Sequence, residues 1–165
     1  MDYRTVFEVT DKGFDMMNLM PVVFIIVGLG ISWFNIKYNK STLPKKKFTI
    51  VFGFVFSGFG LIISLLTIPS SISSQQKTKE IFETKEYKIV EGEIENFNPM
   101  PYEGHAVESF TVKGVYFEYS DYILWDAFNN TASHGGPIKN NGQLVRLSYI
   151  TVDEENRILK IELKE

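Results

Sequence analysis

Two stretches of the chain carry no charged side chain: LMPVVFIIVGLGISWF, from Leu19 to Phe34, and FTIVFGFVFSGFGLIISLLTI, from Phe48 to Ile68. With the flanking Met16, Met17 and Ile36 counted for the first, each approaches the ~20 residues that cross ~30 Å of hydrocarbon. The pattern predicts transmembrane helices over residues 16–36 and 48–68. The alternative, two buried core helices of a soluble protein, fails on size, because the remaining chain is too short to wrap two helices that are apolar all round. Pro21 falls in the first turns of helix one, where its missing N–H matters least, and Pro69 is expected to close helix two.

Beyond Pro69, SSISSQQKTKEIFETKEY is polar and predicts a linker or short juxtamembrane helix over residues 69–86. From Tyr87 the texture turns to alternation. In YKIVEGEIENF, Tyr87 and Ile89 share one parity while Val90 and Ile94 share the other, so a bulge is expected near Gly92. In ESFTVKGVYFEYSD, Phe110 and Val112 precede Lys113-Gly114, and Val115, Phe117 and Tyr119 follow it, which is the phase break of a two-residue hairpin turn. QLVRLSYI aligns Val145, Leu147 and Tyr149. RILKIELK aligns Leu159, Ile161 and Leu163, joined to the strand before by Asp153-Glu154-Glu155-Asn156. About five antiparallel strands over residues 87–165 predict a small all-β domain, a partly closed barrel of OB-like or SH3-like kind. Phe97, Phe110, Phe117, Tyr119, Trp125 and Phe128 are its expected aromatic core. The fold class is therefore a membrane α hairpin plus a small all-β domain.

Charge gives this arrangement a direction. The link KYNKSTLPKKK, within residues 37–47, holds Lys37, Lys40, Lys45, Lys46 and Lys47 and no acid. The tail over residues 1–15 is net acidic, and everything after Ile68 sets ten Lys and Arg against sixteen Asp and Glu. By the positive-inside rule the link is cytoplasmic, and both the N-terminal tail and the β domain lie on the extracytoplasmic side of an inner (plasma) membrane. The acidic leader, with no small-x-small site after the apolar run, predicts a retained anchor and not a cleaved signal. The chain has no cysteine, which removes disulfides, thiol catalysis and cysteine-ligated zinc together. An acidic outer domain also argues against nucleic acid as a partner.

Within the spans, Gly53, Ser57, Gly60 and Ser64 recur at helical spacing on helix two, and Gly28 and Ser32 on helix one. Stripes of small residues let helices approach closely, within a hairpin or between subunits, so self-association through these faces is one expected partnership and the bilayer itself another. No ionisable residue inside either span marks a pore or transport path.

Candidate chemistry gathers in loops of the β domain: His105 and Glu108, Ser120 and Asp121 after the hairpin, and His134 in NNTASHGGPIKNNGQLVRLSY. Two histidines with carboxylates suit a divalent metal or an acid–base pair. No helical pattern surrounds His105 and Glu108, so their spacing resembles no HExxH helix, and ordinary loop histidines are the simpler reading. HGG resembles the oxyanion loop of lipases and esterases, but those enzymes also need a G-x-S-x-G elbow and a much larger sheet. There is no dinucleotide or Walker-type glycine loop. Asn129-Asn130-Thr131 satisfies the glycosylation sequon. No cofactor is expected, a divalent metal entering only with the enzyme alternative.

GHAVESFTVKGVYFEYSD, FNNTASHGGPIKNNGQLVRLSY and NRILKIEL together resemble a group of small uncharacterised bacterial inner-membrane proteins in which one or two helices precede a compact β domain. The resemblance spans roughly residues 91–163 and implies architecture, a membrane anchor with an exported β module, and no catalytic residue. The leading expectation is a membrane-anchored binding or interaction module, working with an envelope partner. The alternatives are a metal-dependent enzyme using His105 and His134 with Glu108 and Asp121, and a structural accessory subunit of a larger membrane complex.

Overall fold

The computed structural model describes residues 2–13, 16–104, 106–123 and 126–164. The chain divides into two compact units, residues 14–75 and a second formed by residues 1–13 with 76–165.

The first unit is a helical hairpin. Helix α1 runs Met20–Tyr38 with Pro21 in its opening turn, and α2 runs Leu43–Glu83. Each is long and apolar enough to cross a membrane. The Lys-rich link shrinks to four residues, 39–42, because Lys37 belongs to α1 and Lys45 to Lys47 form the first turn of α2. Nor does Pro69 end the second helix: it lies inside α2, and where a linker or short juxtamembrane helix is expected, residues 70–83 continue as helix. A proline forfeits only its own N–H bond and strains one turn. The helix closes after Glu83 instead, where Lys85 adopts φ +61° and the Glu86 N–H returns to the Ile81 carbonyl at 3.0 Å.

The residues that α1 and α2 bury are the small ones, Gly28 and Ser32 on α1 and Gly53, Ser57, Gly60 and Ser64 on α2. A Cβ on Gly28 would stand 2.5 Å from the Gly53 carbonyl oxygen and 2.7 Å from the Ser57 nitrogen. One on Gly60 would stand 2.9 Å from the Pro21 carbonyl. The Ser32 hydroxyl donates to the Ile50 carbonyl at 3.0 Å across the pair. Large side chains such as Ile26, Val55 and Leu65 point outward instead, 65–66% exposed.

The second unit is a six-stranded antiparallel sheet. Its strands are β1 (Tyr3–Glu8), β2 (Lys88–Asn98), β3 (Glu108–Val112), β4 (Val115–Tyr119), β5 (Leu144–Val152) and β6 (Glu155–Lys164), in the order β1-β6-β5-β2-β3-β4. The extra strand is β1, drawn from the segment expected to be a tail, and it pairs with β6 from Tyr3 opposite Lys164 to Glu8 opposite Lys160. The sheet is not a closed barrel. It curls far enough for the Asn156 side chain to donate to the Tyr116 carbonyl at 2.9 Å, but β1 and β4 remain its edges.

The curl comes from β2, which is shared between two neighbours. Lys88 to Glu93 pair with β5, and Ile94 onward pairs with β3. The irregularity lies between Glu95 and Asn98, with Asn96 at φ +53°, and not at Gly92, where the register is continuous. Asparagine tolerates that left-handed conformation better than most residues. Gly92 is needed for closeness, since a Cβ there would meet Val112 and Lys113 side-chain atoms at 3.1–3.2 Å. There is no face switch either: Val90 and Ile94 both face the core, and Ile89 is 60% exposed.

The core between the curled halves is aromatic. Phe110 stacks on Phe117 at 5.4 Å, Phe117 meets Tyr149 edge-on at 5.2 Å, and Tyr119 meets Phe128 edge-on at 4.9 Å. Phe97 is partly buried against this cluster, and Trp125 lies outside the described residues. The Lys113-Gly114 turn has φ values of +48° and +77°, the two positive angles that a two-residue hairpin of this twist requires. Asp153 and Glu154, at +50° and +68°, make the corresponding turn between β5 and β6, tighter than the four residues expected.

A bulge in β6 separates Leu159 from Ile161. Ser148 pairs with Lys160 but Tyr149 pairs with Ile158, so Leu159 has no opposite number. Ile158 and Ile161 join the main core, while Leu159 turns to the opposite face with Val9 and Ala127. That second cluster is covered by Ile81 and Phe82 from the end of α2. The sheet therefore buries part of both faces, with half-buried Arg146 linking Glu91 on β2 (2.9 Å) to Glu162 on β6 (4.0 Å) across its open portion.

Candidate functional site

The predicted polar cluster lies where two loops meet the open ends of β3 and β4. Residues 120–123 leave β4, and residues 129–138 form the long connection toward β5. Glu108, the first residue of β3, is completely buried. Its carboxylate accepts the Tyr119 hydroxyl at 2.7 Å and the Ala132 backbone N–H at 3.0 and 3.1 Å, with the Met100 N–H at 3.4 Å. A buried carboxylate is costly unless its lone pairs are occupied, and here each oxygen is engaged. Burial, reinforced by the neighbouring Glu108, pushes the Tyr119 hydroxyl well above the ordinary tyrosine range, so it serves as a donor.

Asp121 holds the same long loop from its other side. It accepts the Thr131 backbone N–H at 2.8 Å and the Thr131 hydroxyl at 2.7 Å, and it pairs directly with His134 Nδ1. Burial pushes the Asp121 carboxyl upward, but the two Thr131 hydrogen bonds and His134 outweigh it and hold the group below the usual carboxylate range. The sequence that follows is shaped for this clasp. Ala132 to His134 form one tight turn, and Gly135 reverses the chain at φ +94°, where L side chains are strained. Gly136 is required for space, because a Cβ would come within 2.8 Å of the Thr131 carbonyl carbon. Fully buried Thr131 sits at the centre, its hydroxyl 3.2 Å from Ser133 Oγ and 3.4 Å from His134 Nδ1.

Of the four predicted ligand or metal candidates, Asp121 and His134 are in contact. Glu108 reaches the same loop one residue from Thr131, through Ala132. His105 lies outside the described residues. Among the described residues no group of three or more His, Cys, Asp or Glu side chains is placed to hold a metal ion. Ser120 is buried, its hydroxyl 3.6 Å from Met100 Sδ and accepting the Tyr122 N–H at 3.3 Å. The carboxylates thus fasten the HGGPI loop to β3 and to the end of β4. Tyr119 and Thr131 complete the fastening, although the sequence pattern marks the first only as a core aromatic and the second only as part of a sequon.

Beside the clasp the surface is apolar. Tyr102 and Tyr122 are 80% and 60% exposed, and a shallow cavity of about 400 Å³ is lined by Ala106, Val107, Ser120, Tyr122 and Ile123. The Tyr102 ring lies 5.9 Å from that of His134, whose side chain is 41% exposed.

Because Asp121 ionises more readily in the folded chain than in the unfolded one, the stability it adds is complete above the ordinary carboxylate value of about 3.9 and disappears as pH falls through its lower folded value. Asp121→Asn is expected to cost about 1.5 kcal/mol at neutral pH. In β-sheet circular dichroism melts, the gap between variant and parent should close as the pH drops below about 4. A gap that persists undiminished under acid would sink this account of the loop. Compared with models of known families, with curated proteins and with solved structures, the chain matches none of them.

Proposed function

We propose that the chain is a two-span membrane protein whose β unit, outside the membrane, is a binding module that presents the Tyr102–Tyr122 rim to an envelope partner. Supporting the anchor is the inverted packing of the hairpin: small residues are inside and large apolar ones outside, which suits lipid as the surroundings. Supporting a common side for both ends of the chain is β1. It precedes α1 and α2, β6 follows them, and the two strands pair, so the intervening segment must return to the side it left.

The observation that carries the binding reading is exposed Tyr122 lining an apolar cavity, with exposed Tyr102 against His134 of a loop whose polar groups are occupied with one another. Aromatic residues on a rigid rim are the usual anchors of recognition surfaces. The metal-dependent alternative would have to take Glu108 and Asp121 away from the hydrogen bonds described above.

The natural absence of cysteine makes the topology directly measurable. Single substitutions Glu154→Cys and Ser41→Cys are labelled in intact cells with a membrane-impermeant maleimide. Glu154→Cys should react at once, and Ser41→Cys only after permeabilisation. The reverse order would overturn the orientation. In the same cells, a photo-crosslinking residue at Tyr122 should form a discrete adduct that Tyr102→Ala diminishes. Equal adducts from Tyr122 and from exposed Ile89, on the sheet, would sink the rim as the binding surface.

A further inference from the structure

The turn between α1 and α2 concentrates charge of a single sign as no other part of the chain does. From Met16 to Lys79 there is no acidic residue, and five lysines fall between Lys37 and Lys47. Two of them have partners within the hairpin. Lys46 donates to the Ile36 carbonyl at 3.2 Å, and the Lys37 ammonium lies 5.3 Å from the centroids of both Trp33 and Tyr38. Lys40, Lys45 and Lys47 are exposed, and among the described residues none of the five forms an ion pair with a carboxylate. Lys45, Lys46 and Lys47 also crowd the first turn of α2, where their charges repel one another and oppose the helix dipole. Within one or two turns of these lysines stand large exposed apolar side chains: Trp33 and Phe34 at 58%, Tyr38 at 52%, Leu43 at 71% and Phe48 at 73%.

We propose that this turn is a docking surface for anionic phospholipid headgroups, an inference that rests on the membrane reading above. Charge complementarity calls for an anion to relieve the crowded lysines. The adjoining apolar and aromatic side chains call for one that carries acyl chains, since a soluble polyanion or free phosphate would cover the lysines and leave Trp33, Leu43 and Phe48 exposed. Tryptophan and tyrosine beside lysine are the residues that occupy the headgroup boundary. Each lysine near an anionic surface contributes about five-fold in affinity, so Lys40, Lys45 and Lys47 together contribute about a hundred-fold.

Trp33 is placed to report this directly. The full-length chain carrying Trp125→Phe, in which Trp33 is the sole tryptophan, is reconstituted into phosphatidylcholine vesicles containing either brominated phosphatidylglycerol or brominated phosphatidylcholine at equal mole fraction. The expected result is stronger quenching of Trp33 by the anionic lipid. That preference should be lost in Lys40→Gln/Lys45→Gln/Lys47→Gln and weakened by high salt. Equal quenching by the two lipids overturns the proposal while leaving the membrane reading intact, whereas no quenching by either removes the membrane reading itself. A preference that survives the triple substitution shows that the lysines do not select the lipid, and also overturns it. Inorganic phosphate that abolishes the preference where chloride of matched ionic strength does not would make the turn a free-phosphate site instead.

Discussion

Removing residues 2–13 should cost the β unit about 3 kcal/mol or more, a large share of the stability of a unit this size. The segment looks dispensable in the sequence, yet Val9 is only 1% exposed beneath Leu159, and the Phe7 ring packs edge-on against Phe128 at 5.0 Å. The Lys12 ammonium donates to the Ala127 carbonyl at 2.9 Å, and Lys79, from the end of α2, donates to the Thr10 carbonyl at 3.3 Å. Without β1, strand β6 becomes a bare edge with its hydrogen-bonding groups unpaired. A fragment of residues 76–164 should therefore melt early or aggregate.

The same fragment should recover when residues 3–13 are reattached after Lys164. Tyr3 pairs with Lys164 and Arg4 with Leu163, so an Asn-Gly turn at that junction would make β6 and β1 an ordinary hairpin. Circular dichroism and thermal melts of the two soluble chains decide the matter. If the short fragment is as stable as the rejoined one, β1 is an ornament and not part of the fold.

Glu108→Ala should be the most damaging single substitution in the loop region, at about 3 kcal/mol or more. It strips the partner from the buried Tyr119 hydroxyl and from the Ala132 N–H at once, and it leaves a void beside fully buried Thr131. Glu108→Gln keeps the shape but turns an amide NH₂ toward a donor, so an intermediate loss of about 2 kcal/mol is expected. The informative variant is the double one. Tyr119→Phe removes the hydroxyl that Glu108→Ala would strand, so the pair should cost clearly less than the two separate losses combined. Additive losses, or a Glu108→Gln protein that melts with the parent, would mean that the carboxylate does not fasten the loop.

The turns were readable in the sequence because their chemistry is local. Lys113-Gly114 interrupts the alternation of two strongly patterned strands, and its backbone angles follow from the two-residue length. The small-residue faces of the helices were visible for the same reason, as a spacing within one element. What escaped depended on partners distant in sequence. Strand β1 sits beside an apolar span and carries charges, which made it look like a tail, and only β6 makes it a strand. Leu159 and Ile161 share a parity that the β6 bulge cancels. In place of the expected partly closed barrel stands an open sheet, with β1 at the edge that the sequence pattern did not supply.

The site divides along the same line. Asp121, Glu108 and His134 were identifiable as unusual polar residues in loops, but a residue list cannot distinguish a catalytic cluster from a clasp. The distinction rests on donating backbone N–H groups, those of Ala132, Thr131 and Met100, which leave no signature in the sequence. Pro69 misled for a related reason: a helix stop inferred from one residue yields when the residues beyond it have a docking place, as Ile81 and Phe82 do.

The pairing of β1 with β6 also fixes an order of events during synthesis. The first strand emerges before either helix, while its partner follows both helices and the other four strands of the sheet. Contacts between such distant segments form late, after the chain between them is arranged. Through that interval Val6, Phe7 and Val9 have no sheet to join, and an unpaired apolar strand is open to misassociation. Asp2, Arg4, Glu8 and Asp11 flank or interrupt these apolar residues, the placement by which charges oppose the aggregation of a waiting strand.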